Sequence, residues 1–320
     1  MPVDSYREAG VDVARGDAVV EYIRALPSRA VSGSIGGFAG GVPLDLTGRR
    51  EPILLSTTDG VGTKVLVARK LGRWDTIGID LVAMSVNDLA VCGADPLSFL
   101  DYIACGRIRE ELLKDVLRGI VAGCEEAGCV LAGGETAEMP DVYGPDDLDL
   151  AGFCTGIVER SEMLPRLDRI EAGDAILGLP SSGIHSNGLS LARKCVPEDD
   201  IAAWEELLTP TRIYVSELRA LRETGKLLAA AHITGSGLKA NFVRVLPGGL
   251  APAFTWDWPR PAVFDRIRDG GGVPEEELRR VFNLGVGIAF VVKAPDADGI
   301  LAFCRDRGIA CFPMGCLVRA

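Results

Sequence analysis

The stretch Cys129–Glu159, CVLAGGETAEMPDVYGPDDLDLAGFCTGIVE, decides the fold class. It reads as a short apolar strand over 129–132, a polar connection rich in Gly and Pro, and a long strand over 148–159, with no helix between them. Upstream, 109–127 has helical periodicity and 97–105 reads as a strand. The segment 76–92 repeats Val82, Val86 and Leu89 at i, i+4 and i+7, and Pro52 to Thr58 is the first strong strand. Downstream, SEMLPRLDRIEAGD (161–174) interrupts the apolar pattern with Pro, Gly and charge, which predicts a boundary between domains 1–165 and 166–320. Strands are then expected at 175–179, 285–293 and 309–318, and helices at 188–195, 211–223, 275–282 and 296–307. Strands and helices mix without strict βαβ alternation, so the expected class is α+β, in two mixed domains.

The chain of 320 residues has 34 Lys and Arg against 45 Asp and Glu, a net charge of −11. That balance excludes a nucleic-acid partner bound through bulk charge and disfavours anionic lipid. No apolar run approaches the ~20 residues of a membrane span. The N-terminal MPVDSYREAG shows no basic start followed by an apolar segment, so no secretory signal is expected. Nine cysteines, with no C-x-x-C pair, read as buried thiols of a reducing, cytoplasmic compartment.

Several polar clusters could carry chemistry. Both histidines lie in Ser/Thr/Gly-rich turns ahead of helical patterns, His185 in SSGIHSNG (181–188) and His232 in HITGSG (232–237). Such turns offer backbone N–H groups to an anion, or serve as ordinary helix caps. Glycines at 33–41, including Gly33, Gly36 and Gly37, and the run Gly60-Val61-Gly62-Thr63-Lys64 could cradle phosphate oxygens, although neither fits a standard nucleotide loop. Asp59 ends a strand, Asp80, Asn87 and Asp88 share a helix face, and Glu135 follows an apolar strand. Carboxylates at such edges suit Mg²⁺, which takes a few protein oxygens and the rest from phosphate and water. For Asp80, a solvated charge or a helix cap is the expected reading. Asn87 and Asp88 are expected to border a cleft.

Taken together, TTDGVGTK (57–64), GIDLVAMSVNDL (78–89), GADPLSFLDY (93–102), GGETAEMP (133–140), SSGIHSNG, PTRIYV (210–215), HITGSG and FNLGVG (282–287), with SYREAGVD at 5–12, resemble the phosphoribosylformylglycinamidine cyclo-ligase family. The motifs run in family order over nearly the whole chain. The resemblance implies ATP-dependent ring closure in purine biosynthesis, through an iminophosphate. It also implies a homodimer in which strands of both N-terminal domains form a barrel, with ATP in the cleft. It implies that Asp59, Asp88 and Glu135 organise Mg²⁺, and that Lys64 and the 33–41 loop meet the ATP phosphates beside Gly60, Gly62 and Thr63. Ser186, Asn187 and Gly188 are then expected on the ribonucleotide monophosphate, with Arg212 as a further binding residue or a structural ion pair. His185, His232 and Lys64 are the expected catalytic groups. Ser236 and Ala240 depart from the family's usual glycine and glutamate. The alternatives are another ATP-using kinase or synthetase of the same superfamily, or a silent nucleotide-binding module.

Overall fold

The computed structural model describes residues 13–320; the 5–12 motif lies outside them. The first unit contains α1 (Val13–Ala25), β1 (Pro52–Gly60), α2 (Lys64–Leu71), α3 (Ile77–Val91), β2 (Asp95–Cys105), α4 (Glu110–Ala127), β3 (Val130–Glu138) and β4 (Leu148–Glu159). The second contains β5 (Ala175–Pro180), α5 (Leu189–Cys195), α6 (Ile201–Leu208), α7 (Val215–Glu223), β6 (Ala229–His232), α8 (Gly237–Phe242), β7 (Leu250–Phe254), α9 (Val263–Gly271), α10 (Glu275–Val281), β8 (Val286–Val292), α11 (Ala297–Asp306) and β9 (Phe312–Arg319).

The first sheet has the order β1-β4-β2-β3, antiparallel except for β2 beside β3. The second, β6-β8-β5-β9-β7, is antiparallel throughout. Only β2-α4-β3 is a parallel crossover unit, so the α+β expectation holds. The strand expected at 129–132 continues to Glu138, because parallel pairing with β2 satisfies the backbone through Gly133 and Gly134, where no apolar alternation betrays a strand.

Helix α3 is the spine. Twelve of its fifteen residues are buried, as an apolar pattern on every side requires. It packs on the first sheet, on α4, and on α7 and β6 of the second unit. Its approach to α4 needs glycine on both sides: a Cβ at Gly78 would lie 2.2 Å from the Val116 carbonyl oxygen, and one at Gly119 would lie 3.1 Å from the Gly78 Cα.

The seam between the units is pinned by polar groups inside this apolar layer. Lys64 and Asp80 are fully buried, with Nζ 2.8 Å from Oδ1. Lys64 Nζ also donates to the Thr209 carbonyl at 2.6 Å. Asp80 Oδ1 accepts from the Thr211 N–H at 2.7 Å, the Thr211 hydroxyl at 2.6 Å and the Ser186 hydroxyl at 3.1 Å. Seven residues along α3, Asn87 repeats the device: its amide donates to the Arg212 carbonyl at 2.9 Å and its Oδ1 accepts the Tyr214 N–H at 2.8 Å. These bonds hold 211–214 out of helical geometry, which is why the helix expected over 211–223 starts at Val215.

Asp80 is therefore neither a solvated charge nor a cap. Nor does Asn87 border a cleft; it is fully buried. Removing one partner of a buried ion pair strands the other charge and costs about 3–5 kcal/mol. Asp80→Asn is accordingly expected to lower the urea unfolding midpoint by the equivalent of about 3 kcal/mol or more; a loss below about 1 kcal/mol would remove the pair from this role.

Candidate active site

Beside these pins the seam opens into a cavity of about 510 Å³. The first unit supplies Asp59, Gly60, Gly62 and Met84, and the second Ser186, Asn187, Thr234, Gly235, Ser236, Ala240, Asn241 and Arg244. Asp59 ends β1 and turns back on its own chain, its Oδ1 accepting the Gly60 N–H at 2.7 Å. Burial pushes the Asp59 carboxyl above the ordinary range, and the Asp88 carboxylate adds to the rise. A second carboxylate this near Asp59 forms an arrangement that a cation would relieve.

Asp88 reaches His232, with Oδ1 2.9 Å from Nδ1. A carboxylate accepts Nδ1–H, which leaves Nε2 as the acceptor nitrogen; the Asn87 amide nitrogen stands 3.5 Å from it. The ring lines an adjoining cavity of about 350 Å³ that shares Asn241 and Arg244 with the first. His185 stands behind, its centroid 6.3 Å from that of His232. It is fully buried in a left-handed backbone conformation, with Nε2 3.5 Å from the Tyr214 hydroxyl and Nδ1 without a partner. Burial, reinforced by the positive charges of Lys64 and Arg212, pulls its pKa well below the usual histidine value. His185 is thus held neutral behind His232, and it is not among the residues that line either cavity.

The structure divides the remaining expected residues. Lys64, expected on phosphate, lies in the seam core. Thr63 bonds Ser190 across the seam at 3.2 Å. Ser186 and Asn187 do line the cavity. Gly188 adjoins it as a packing position, where a Cβ would lie 2.3 Å from the Phe282 ring. Arg212 is the structural ion pair of the two readings, 2.6 Å from Glu217. Gly36, Gly37 and Glu135 line a separate cavity of about 290 Å³ beside α1 and β3, whereas Gly33 has open space around it.

Because β1 and β3 are opposite edges of the four-stranded sheet, Glu135 lies about 14 Å from Asp59 across three strand spacings. The expected ligand set Asp59, Asp88 and Glu135 is therefore not gathered within one chain. Among the described residues no group of three or more His, Cys, Asp or Glu could hold a metal ion. Asp59 with Asp88 is the pair whose chemistry fits one, with its other ligands coming from phosphate and water.

Sequence reasoning missed Asn241, Arg244 and Asp101. The signal for the first two was their i, i+3 spacing just after the HITGSG turn. Asp101 faces inward on β2 between Phe99 and Ile103, a break in an apolar face, and it lines the smaller cavity. Burial lifts its carboxyl to about 7, with a contribution from Glu135. Between the ordinary value and about 7 the folded chain holds a proton that the unfolded chain has lost, so stability falls as pH rises through that window. The stability advantage of Asp101→Asn over the parent should therefore grow by about 1.4 kcal/mol per pH unit from about pH 4 to 7 and then level off. A difference independent of pH in denaturant melts would show Asp101 to be ionised in the folded chain.

The chain matches the model of the AIR synthase related protein N-terminal domain over residues 45–158 and that of the C-terminal domain over 171–318. It is 45% identical to the phosphoribosylformylglycinamidine cyclo-ligases of Myxococcus xanthus and Geobacillus kaustophilus, over 97% of this chain and 95% and 94% of theirs. The fold is shared with a hydrogenase maturation protein, HypE, solved in complex with ATP, at a TM-score of 0.66 and 18% identity, covering 94% of this chain and 84% of that one. By sequence and by fold, this chain belongs to the phosphoribosylformylglycinamidine cyclo-ligase family.

Proposed function

We propose that the seam cavity is where this chain closes formylglycinamidine ribonucleotide to aminoimidazole ribonucleotide at the expense of ATP. The observation that carries the reading is the Asp59, Asp88 and His232 group on the walls of two adjoining cavities between the domains of a chain 45% identical to named cyclo-ligases. The γ-phosphoryl group passes to the formyl amide oxygen, the amidine nitrogen attacks the activated carbon, and phosphate leaves as the ring closes. Such transfer depends on positioning and charge neutralisation more than on covalent help.

Asp59 and Asp88 would hold Mg²⁺, which neutralises phosphate charge when bound. The Gly60–Gly62 turn gives the triphosphate close backbone approach. Asp88 also fixes the His232 tautomer, and Nε2 accepts the proton lost by the attacking nitrogen. Ser186, committed to Asp80, and Asn187 orient the substrate. Nine free cysteines fit a reducing compartment such as the cytoplasm, and no helix among the described residues is long and apolar enough to cross a membrane.

The second copy implied for the family has a surface to occupy. Leu54, Leu100 and Phe153 stand exposed on the face of the first sheet turned away from α3, and β1 is an edge strand. Monomeric proteins rarely leave such faces and edges uncovered. A homodimer closed there buries them and brings Glu135 and the Gly36–Gly37 turn into the interface region.

With purified protein, ATP, Mg²⁺ and formylglycinamidine ribonucleotide, aminoimidazole ribonucleotide should accumulate in step with ADP; ADP without the imidazole would assign the chain to a related kinase or synthetase. His232→Gln should lower kcat by about 10²–10⁴-fold, the contribution of a general base, and an unchanged kcat would remove it from the chemistry. Phe153→Glu should convert a dimer to a monomer in light scattering; a parent chain already monomeric would refute the proposed dimer.

A further inference from the structure

The cavity carries opposite charge on its two units: Asp59 comes from the first and Arg244 from the second, the one basic side chain among its described lining residues. Arg244 follows α8, is exposed, and also lines the adjoining His232 cavity, so its guanidinium stands where the two spaces meet. It makes one hydrogen bond, from Nη1 to Asn241 Oδ1 at 3.3 Å. Asn241 is itself buried, and its amide is locked onto the carbonyls of Thr234, Gly235 and Gly237 at 3.3, 2.9 and 2.8 Å. The arginine is thus held from behind by a fixed residue, with its other N–H donors free for a ligand.

The forked guanidinium of Arg244 suits a phosphate monoester, which arginine binds through paired hydrogen bonds. In a chain of net charge −11, such an anion has to be drawn by a local cation.

We propose that Arg244, positioned by Asn241, binds the 5′-phosphate of the ribonucleotide substrate, which directs the reacting amide towards Asp59 and Asp88. This rests on the cyclo-ligase reading and adds to it the orientation of the substrate. Arg212, the cation expected from the sequence, is occupied by Glu217, and Lys64 by Asp80. Arg244 inherits the task.

The test compares Arg244→Ala and Arg244→Lys with the parent enzyme on formylglycinamidine ribonucleotide and on the nucleoside lacking its phosphate. Arg244→Ala should raise KM for the ribonucleotide roughly 10- to 100-fold, the loss of charge-assisted hydrogen bonds. KM for ATP and kcat/KM for the nucleoside should stay as in the parent. Arg244→Lys should recover part of the loss, as a point charge without the fork. Inorganic phosphate should compete with the ribonucleotide in the parent and not in Arg244→Ala. Arg305→Ala, on the distant α11, is the neutral control. An unchanged KM for the ribonucleotide, or a rise in KM for ATP instead, overturns the assignment while the cyclo-ligase reading stands. A parent enzyme that makes no imidazole product overturns that reading itself.

Discussion

The Asp80 carboxylate is the constraint on which the rest depends. It sits in the middle of an apolar helix, out of contact with water, and a lone charge there would not be tolerated. Lys64 neutralises it, and groups from the second unit supply the other donors to its Oδ1: the Thr211 N–H and hydroxyl, and the Ser186 hydroxyl. Satisfying one buried charge therefore fixes the second unit against α3. Asn87 adds a neutral version of the same contact two turns along. The apolar cluster that runs through both units contributes area, but area alone specifies neither register nor orientation; directional bonds to two side chains of one helix do.

The site follows from that docking. Once α3 is gripped at Asp80 and Asn87, the next residue, Asp88, faces His232 at the end of β6, while Asp59 at the end of β1 falls within electrostatic reach. Ser186 faces both ways, bonding Asp80 and lining the cavity. The pins and the cavity are thus adjacent parts of one seam, and a change at Asp80 would reach the chemistry through position. The outer edge of the first sheet, with Glu135 and the glycine turn, belongs to a different surface of the chain.

Much of this was legible. The unbroken apolar character of GIDLVAMSVNDL marked a buried helix, and the succession of two strands without a helix after Cys129 marked an α+β sheet. Asp59, Asp88, Ser186, Asn187 and His232 do meet at the seam. What was not legible depends on contacts distant in sequence. A lysine after glycines reads as a phosphate ligand until its ammonium is found against an aspartate sixteen residues on. Glu135 and Asp59 share the character of edge carboxylates, yet strand order, which periodicity does not encode, places them on opposite edges. His185 resembles His232 in its turn, and only burial separates them. Asn241 and Arg244 were hidden because α8 is short and its apolar pattern slight.

In the proposed mechanism, substrate occupies the seam between Asp59 and Arg244. A crystal structure of the protein with bound formylglycinamidine ribonucleotide tests it most directly. Ligand density is expected in the seam cavity, with the phosphate against Arg244 and the formyl amide towards Asp59 and Asp88. Density confined to the cavity of Gly36, Gly37 and Glu135, with the seam empty, would contradict it.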